Sequence, residues 1–314
     1  MLGTSIDRLA SHALLDAYVE AGGNFLDTAK VYADWVPGER SRSEKLLGEW
    51  MSSRGNRSRM VLATKGGHVE LPDMAPRVSP KCISKDLEDS LRNLHTDVVD
   101  LYWLHRDDLE QPVSALIDTL NLQQKAGKIR AFGCSNWTAP RIRAAHAYAK
   151  SSGQNSFTAN QPMWSAAIID PEAVRSFDQT LVAMDLDAHA LHRELQLACV
   201  PYSSQANGLF NKMAVESSPP HRLRRSVRAL YHYLKGVRTF YPYFGNARRF
   251  AALSRIASEQ QLTITQVTLA YLLSQPFPVF PIIGCSNTDQ LRDSMAATTV
   301  RLSSASISTI NQAR

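Results

Sequence analysis

Strand-like and helix-like segments alternate along the whole chain, no glycine fingerprint follows the first strand, and no linker interrupts the sequence. These observations predict one domain over residues 1–314, an α/β fold of the (β/α)8 TIM-barrel kind. Strands alternating with helices imply right-handed βαβ units and a parallel sheet. A doubly wound sheet would carry G-x-G-x-x-G after its first strand, and none occurs there.

The elements are read in order. Helical spacing from Leu9 to Ala21 stops at Gly22-Gly23, a left-handed stop signal, and Asn24–Thr28 follows as the first strand. Met60–Lys65 is a second strand, closed by Gly66-Gly67. Ile83, Leu87, Leu91 and Leu94 recur at helical spacing. A third strand over Val98–His105 precedes a helix from Val113 to Ala126, and a fourth over Ile129–Cys134 precedes a helix near Pro140 to Lys150. Strands are further expected at Phe157–Gln161, Ala198–Tyr202 and Val279–Ile283, with helices near 185–196, 248–260, 265–275 and 287–297. The stretch from about 208 to 245 carries few strand signals and reads as a long basic βα loop.

Composition narrows the function classes. With 44% apolar and 20% charged residues, the chain has enough apolar material for a large core. No run of eighteen apolar residues occurs, which predicts no membrane association. The opening MLGTSIDRLA lacks the pattern of a secretory signal. Cysteines 82, 134, 199 and 285 match neither a disulfide framework nor a zinc site, so reduced thiols, a cytoplasmic location and no metal are expected. The net charge of +6 comes from one segment: between Glu216 and Glu259 there is no acid but nine Lys and Arg, including Arg248, Arg249 and Arg255. Clustering of this kind serves phosphate binding. An anionic cofactor or solvated helix faces account for it without a nucleic acid, and no nucleic-acid partner is expected.

Residues at the C-terminal ends of barrel strands share one rim, where barrel enzymes place their chemistry. Here that rim collects Asp27, Lys65 and His105 from three successive strands, and Tyr32 follows Asp27 closely enough for its loop to fold back over them. Taken singly, each residue has an ordinary explanation: a helix cap, a solvated lysine, a packed ring. Together they form an acid–base set. A free phenol titrates near pH 10, too high for easy proton exchange at neutrality, and a neighbouring ammonium favours its phenolate. An aspartate keeps that ammonium charged and aimed, and a neutral imidazole orients a substrate oxygen. The set suits protonation of a carbonyl oxygen. No side chain delivers hydride, so a nicotinamide is required.

The motifs that carry these residues are Gly22-Gly23-Asn24-Phe25-Leu26-Asp27-Thr28-Ala29-x-x-Tyr32, Ala63-Thr64-Lys65, Asp100-Leu101-Tyr102-Trp103-Leu104-His105-Arg106, Gly127-Lys128-Ile129-Arg130-x-x-Gly133-x-Ser135-Asn136 and Pro281-Ile282-Ile283-Gly284. In order and spacing the chain resembles the aldo-keto reductase family along essentially its whole length. It looks like a bacterial-type member near the branch that includes potassium-channel β subunits. The resemblance implies a catalytic tetrad of Asp27, Tyr32, Lys65 and His105, with Tyr32 as general acid. It implies that Ser135, Asn136 and Gln161 hold the nicotinamide carboxamide and that Tyr202 stacks on the ring. It gives Gly208 and Lys212 to a pyrophosphate loop, and Gly284, Ser286 and Gln290 to the adenosine phosphate. Ser203, Gln205 and Ser294 complete the implied cofactor shell.

Three departures from the family pattern stand out. Leu2-Gly3-Thr4 stands at the very start, where the family usually has an N-terminal hairpin before it that plugs the barrel floor, so either an open floor or a start further upstream is expected. The loop before the first helix is almost absent. Asp293-Ser294 stands where the family has Glu-Asn against adenine, which leaves NAD(H) open beside the expected NADP(H). Trp35, Trp137 and Trp164 are placed to line the mouth, and Tyr231, Tyr233, Tyr241 and Tyr243 to form a lid. The expected activity is therefore reversible reduction of a small aldehyde or ketone to the alcohol by an NADP-dependent enzyme, with oligomeric state left open. The alternative is a cofactor-sensing regulatory subunit resembling the channel β subunits.

Overall fold

The computed structural model describes residues 3–70, 74–217 and 240–313. The chain divides into two compact units, residues 1–160 with 286–288, and residues 161–285 with 289–314.

The first unit is built on four parallel strands, β1 (Phe25–Asp27), β2 (Val61–Gly66), β3 (Val99–Leu104) and β4 (Ile129–Ser135). They are paired in chain order. Helices α1 (Arg8–Glu20), α2 (Arg42–Arg54), α3 (Pro80–Asn93), α4 (Val113–Lys125) and α5 (Ala139–Ser152) alternate with them. Beyond Val61 every residue of β2 is buried, and β3 and β4 are buried through their last four residues. Burial on both faces is what parallel strands under helices require, and it explains their continuous apolar runs. Helix starts follow local chemistry: Asp7 caps α1 by accepting from Ala10 N at 2.9 Å, and Ser79 caps α3 just before Pro80. Gly55 and Gly153 close α2 and α5 in the left-handed conformation.

Helix α2 is an element the sequence reading passed over. Leu46, Leu47, Trp50 and Met51 give it a buried stripe, but Gly48 in its middle weakens the helical signal. Packing is the reason for that glycine. A Cβ there would lie 2.5 Å from Asn93 O, so Gly48 lets α2 approach the end of α3. Gly133 has a similar origin: it faces Trp103 across the β3–β4 ladder, and a Cβ would meet the indole at 2.5 Å.

In the second unit strand pairing is reduced to short contacts. The strand Ala198–Cys199 is two residues long, and parallel bridges join Cys199 to Val279 and Met163 to both Ala183 and Tyr202. The expected strand over Val279–Ile283 is therefore corrected to an extended segment with one bridge. Its donors are limited by Pro278 and Pro281, while Phe280 N and Ile282 N still reach Cys199 O and Pro201 O at 2.8 and 3.0 Å. Helices Leu186–Leu195, Tyr243–Glu259, Ile264–Leu273 and Thr288–Ala296 lie where helices are expected, and Thr263 with Gln266 forms a capping box. Pro171–Phe177, Leu209–Ser217 and Ser304–Gln312 are additional helices. The core gathers Trp164, Leu253, Ile256, Val267, Tyr271 and Phe277. No described helix is long and apolar enough to cross a membrane.

Several aromatics expected at a mouth or lid serve the core. Trp137 is buried against Phe157 and donates to Arg106 O at 3.1 Å. Trp164 packs on Phe277 and Tyr271. Tyr241 is buried, and desolvation pushes its phenol up to about 12. Tyr231 and Tyr233 lie outside the described residues, as does most of the long basic connection, whose start is the helix Leu209–Ser217. Among the described cations between Glu216 and Glu259, Arg249 on the helix Tyr243–Glu259 is buried and donates to Ala166 O at 2.9 Å.

Candidate active site

Strand register brings the acid–base set together. Asp27 lies opposite Ala63, and Lys65 is two residues further along β2. Lys65 in turn lies opposite Trp103, and His105 is two residues beyond it, just past the end of β3. Steps of two preserve the face of a strand, so the ladder turns three distant residues toward one side. Tyr32 arrives from the loop after β1, where its N–H donates to Ala29 O at 3.1 Å.

That loop is anchored through Lys30. Its Nζ donates to Asp86 Oδ1 at 2.5 Å and to Asp89 Oδ2 at 2.6 Å. Asp86 is buried and also accepts from Gly67 N and from Arg77 Nη2, both at 3.0 Å. One carboxylate thus fixes both the Tyr32 loop and the turn that follows Lys65.

Lys65 is almost fully buried. Its ammonium donates to Asp27 Oδ2 and to Thr28 O, the latter at 2.8 Å, and sits 4.6 Å from the centroid of the Tyr32 ring. Burial opposes the charge, but the Asp27 carboxylate and the Tyr32 phenol outweigh it and hold the amine above its ordinary value. Asp27 Oδ1 accepts from Trp103 Nε1 at 3.0 Å, so both carboxylate oxygens are engaged. The His105 ring stands edge-on to Tyr32, with centroids 5.9 Å apart. Burial, reinforced by Arg106, Lys65 and His68, drives its titration well below the usual range, so the imidazole is neutral at physiological pH. Its Nδ1 is buried with no hydrogen-bond partner among the described residues. The exposed Trp35 packs edge-on against Tyr32 at 6.3 Å. A charged amine beside a phenol, with a neutral imidazole next to it, equips this site to move a proton at an oxygen.

Ser135 and Asn136 are buried at the end of β4. Asn136 adopts the left-handed conformation, and its Nδ2 donates to His105 O and to Ser135 Oγ, both at 3.1 Å. Trp103, Lys30, Asp86 and His68 were not foreseen. Only Trp103 left a signal, lying two residues before His105 and so on the same face.

The second unit carries most of the remaining cofactor candidates. Gln161 is buried at the end of the strand Ala159–Gln161. Tyr202 and Ser203 are half-buried after the strand Ala198–Cys199. Ser203, Ala206, Asn207 and Gly208 all have left-handed backbone, leading into the helix that starts at Leu209. Exposed Lys212 lies on that helix's first turn and donates to Asn207 O at 2.9 Å. Gln205 Nε2 donates to Ser294 Oγ at 3.1 Å, which brings those two candidates together. Gly284 and Gln290 are exposed, and Ser286, also exposed, falls in the short stretch grouped with the first unit.

The profile of the Aldo/keto reductase family matches residues 1–314. The chain is 31% identical over 320 residues to an aryl-alcohol dehydrogenase [NADP(+)] of Phanerodontia chrysosporium, covering 96% of this chain and 75% of that protein. It is 30% identical over 310 residues to the aldo-keto reductase ausK of Aspergillus calidoustus, covering 95% and 71%. The norsolorinic acid reductase stcV of Emericella nidulans is 29% identical over 305 residues, covering 95% and 70%.

Proposed function

The chain belongs to the aldo-keto reductase family, and on that premise we propose that it reduces an aldehyde or ketone to the alcohol, reversibly, using NADP(H) and a single (β/α)8 barrel domain. The observation that carries this reading is the buried Lys65 ammonium held against Asp27 and Tyr32, beside a neutral His105.

The residues present fit a nicotinamide dinucleotide. His105 Nδ1 is a buried polar group with no acceptor or donor among the described residues. The N-terminus of the helix Leu209–Ser217 and the cation Lys212 on its first turn form a pair suited to phosphate. When bound, the nicotinamide supplies the hydride. Tyr32 gives its phenolic proton to the carbonyl oxygen, so C=O becomes CH–OH. Lys65 stabilises the phenolate left behind, and Asp27 keeps Lys65 charged and aimed. His105, neutral, orients the carbonyl oxygen. Ser135, Asn136 and Gln161 are assigned to the carboxamide and Tyr202 to the ring face. Ser203, Gln205, Gly208, Lys212, Gly284, Ser286, Gln290 and Ser294 are assigned to the phosphates and adenosine.

The preference for NADP over NAD rests on the relative named for NADP(+). Exposed Trp35 against Tyr32 supports a flat, aromatic carbonyl substrate. Fluorescence titration with NADPH and NADH, followed by a panel of aryl and alkyl aldehydes, tests the reading. Tighter binding of NADPH and faster turnover of aryl aldehydes are expected. Binding of neither dinucleotide would overturn it.

A further inference from the structure

We propose that His68 is a positioning residue for His105: the edge of its ring fixes the orientation of the His105 imidazole. This deepens the carbonyl-reductase reading and rests on it.

The main chain at His105 is pinned on several sides. His105 N donates to Gly66 O at 2.8 Å, and His105 O accepts from Asn136 Nδ2 at 3.1 Å and from Arg106 Nη1 at 3.0 Å. Trp137 Nε1 holds the next carbonyl, Arg106 O, at 3.1 Å. The ring has less to hold it, because among the described residues Nδ1 finds no hydrogen bond that would choose a tautomer or a χ2 angle. Its orientation is left to ring packing. Two rings meet it edge-on: Tyr32 at 5.9 Å and 77°, and His68 at 4.7 Å and 65°. Of the two, His68 is closer.

His68 is itself anchored. Its Nδ1 faces Val69 O at 2.9 Å, and since a carbonyl only accepts, the proton sits on Nδ1. One residue earlier, Gly67 N is tied to the buried Asp86. A rigid path therefore runs from Asp86 through Gly67 and His68 to the His105 ring. The charged and titratable groups around that ring are Lys65, Arg106, Tyr32 and His68. The three basic ones oppose its protonation, so His68 supports the neutral form that its packing orients. A neutral imidazole in one fixed orientation is what hydrogen bonding to a carbonyl oxygen demands. Small misplacements of such a group cost large factors in rate.

The test compares His68→Ala with His68→Phe, which keeps a flat ring edge without a titratable nitrogen. His68→Ala is expected to lower kcat about ten-fold at unchanged NADPH affinity and unchanged melting temperature. His68→Phe is expected to recover most of that loss. A crystal structure of His68→Ala is expected to show the His105 ring in more than one orientation, a readout that needs no turnover. A wild-type rate in His68→Ala, an equal loss in His68→Phe, or an unmoved and singly ordered His105 ring in the His68→Ala crystal would each overturn the proposal. Wild-type protein that binds no dinucleotide would instead overturn the carbonyl-reductase reading, with the crystal structure still deciding the role of His68.

Discussion

The strand ends of the first unit and the turn at 203–212 of the second position their candidate residues by different physics. In the first, ladder register does the work: Asp27, Lys65 and His105 share a face because each lies two residues beyond the partner of the one before. In the second, Ser203 and then the run Ala206–Gly208 take left-handed backbone, and a helix begins at once. Ladder register aims side chains, which suits proton transfer. The turn presents the start of that helix, and a helix N-terminus suits holding an anion. The two regions should therefore fail differently, one in kcat and the other in affinity.

The largest separation is expected at Tyr32. Tyr32→Phe removes the proton donor and keeps the ring, so kcat should fall by about 10²–10⁴-fold while NADPH binding, followed by fluorescence, stays within error. A comparable loss of NADPH affinity would erase the division between the two regions.

Asp27→Asn probes the same side through stability. Lys65 and Asp27 are both buried, and removing one partner of a buried pair typically costs about 3–5 kcal/mol. Because Asp27 holds the Lys65 amine above its ordinary value, the stabilisation is fully present below about pH 10 and is lost as pH rises through that raised value. Urea melts of wild type and Asp27→Asn should differ most at pH 7 and converge in strong base. A gap independent of pH would mean that the cost is packing rather than charge.

How much of this was legible in the sequence follows from the same contrast. Strand ends announce themselves where a short apolar run meets a polar residue, so Asp27, Lys65 and His105 could be read from residue type and position. Lys30, Asp86 and His68 could not, because each acts through a partner that only the folded chain supplies. Helix α2 was hidden by Gly48, whose reason is the neighbouring Asn93 carbonyl. The strand expected at Val279–Ile283 was overread because apolar β-branched residues outweighed two prolines. Trp137 and Trp164 follow strand ends, which suggests the mouth, and Tyr241 lies in the long connection, which suggests a lid, but large aromatics fill cores as readily.

A smaller effect is expected from the second unit's core. His192 is buried, its Nδ1 pairs with Leu197 O at 2.8 Å, and its ring stacks on Phe277 at 5.1 Å. Burial lowers its titration, so the unfolded chain takes up a proton near pH 6.5 that the folded chain refuses, and stability falls as pH drops below that point. His192→Phe keeps the stack but leaves Leu197 O unpaired, at a cost of about 1–2 kcal/mol at pH 8. The variant should then lose less than wild type on acidification to pH 5, so that the two melting curves approach each other. Parallel curves would move the acid sensitivity elsewhere, for example to His105 or His146, which burial also lowers.

The smallest change sharpens the comparison most directly. Lys212 is exposed and bonded to Asn207 O, so its contribution to an anion is screened by water and salt. Lys212→Ala should raise the NADPH dissociation constant only about two- to five-fold, an effect under about 1 kcal/mol that fades as ionic strength rises. The same variant should keep kcat at saturating cofactor, since nothing in the Asp27–Lys65–Tyr32 set depends on it. If kcat falls instead while affinity holds, the turn at 203–212 does more than grip an anion, and register alone no longer accounts for the chemistry of the first unit.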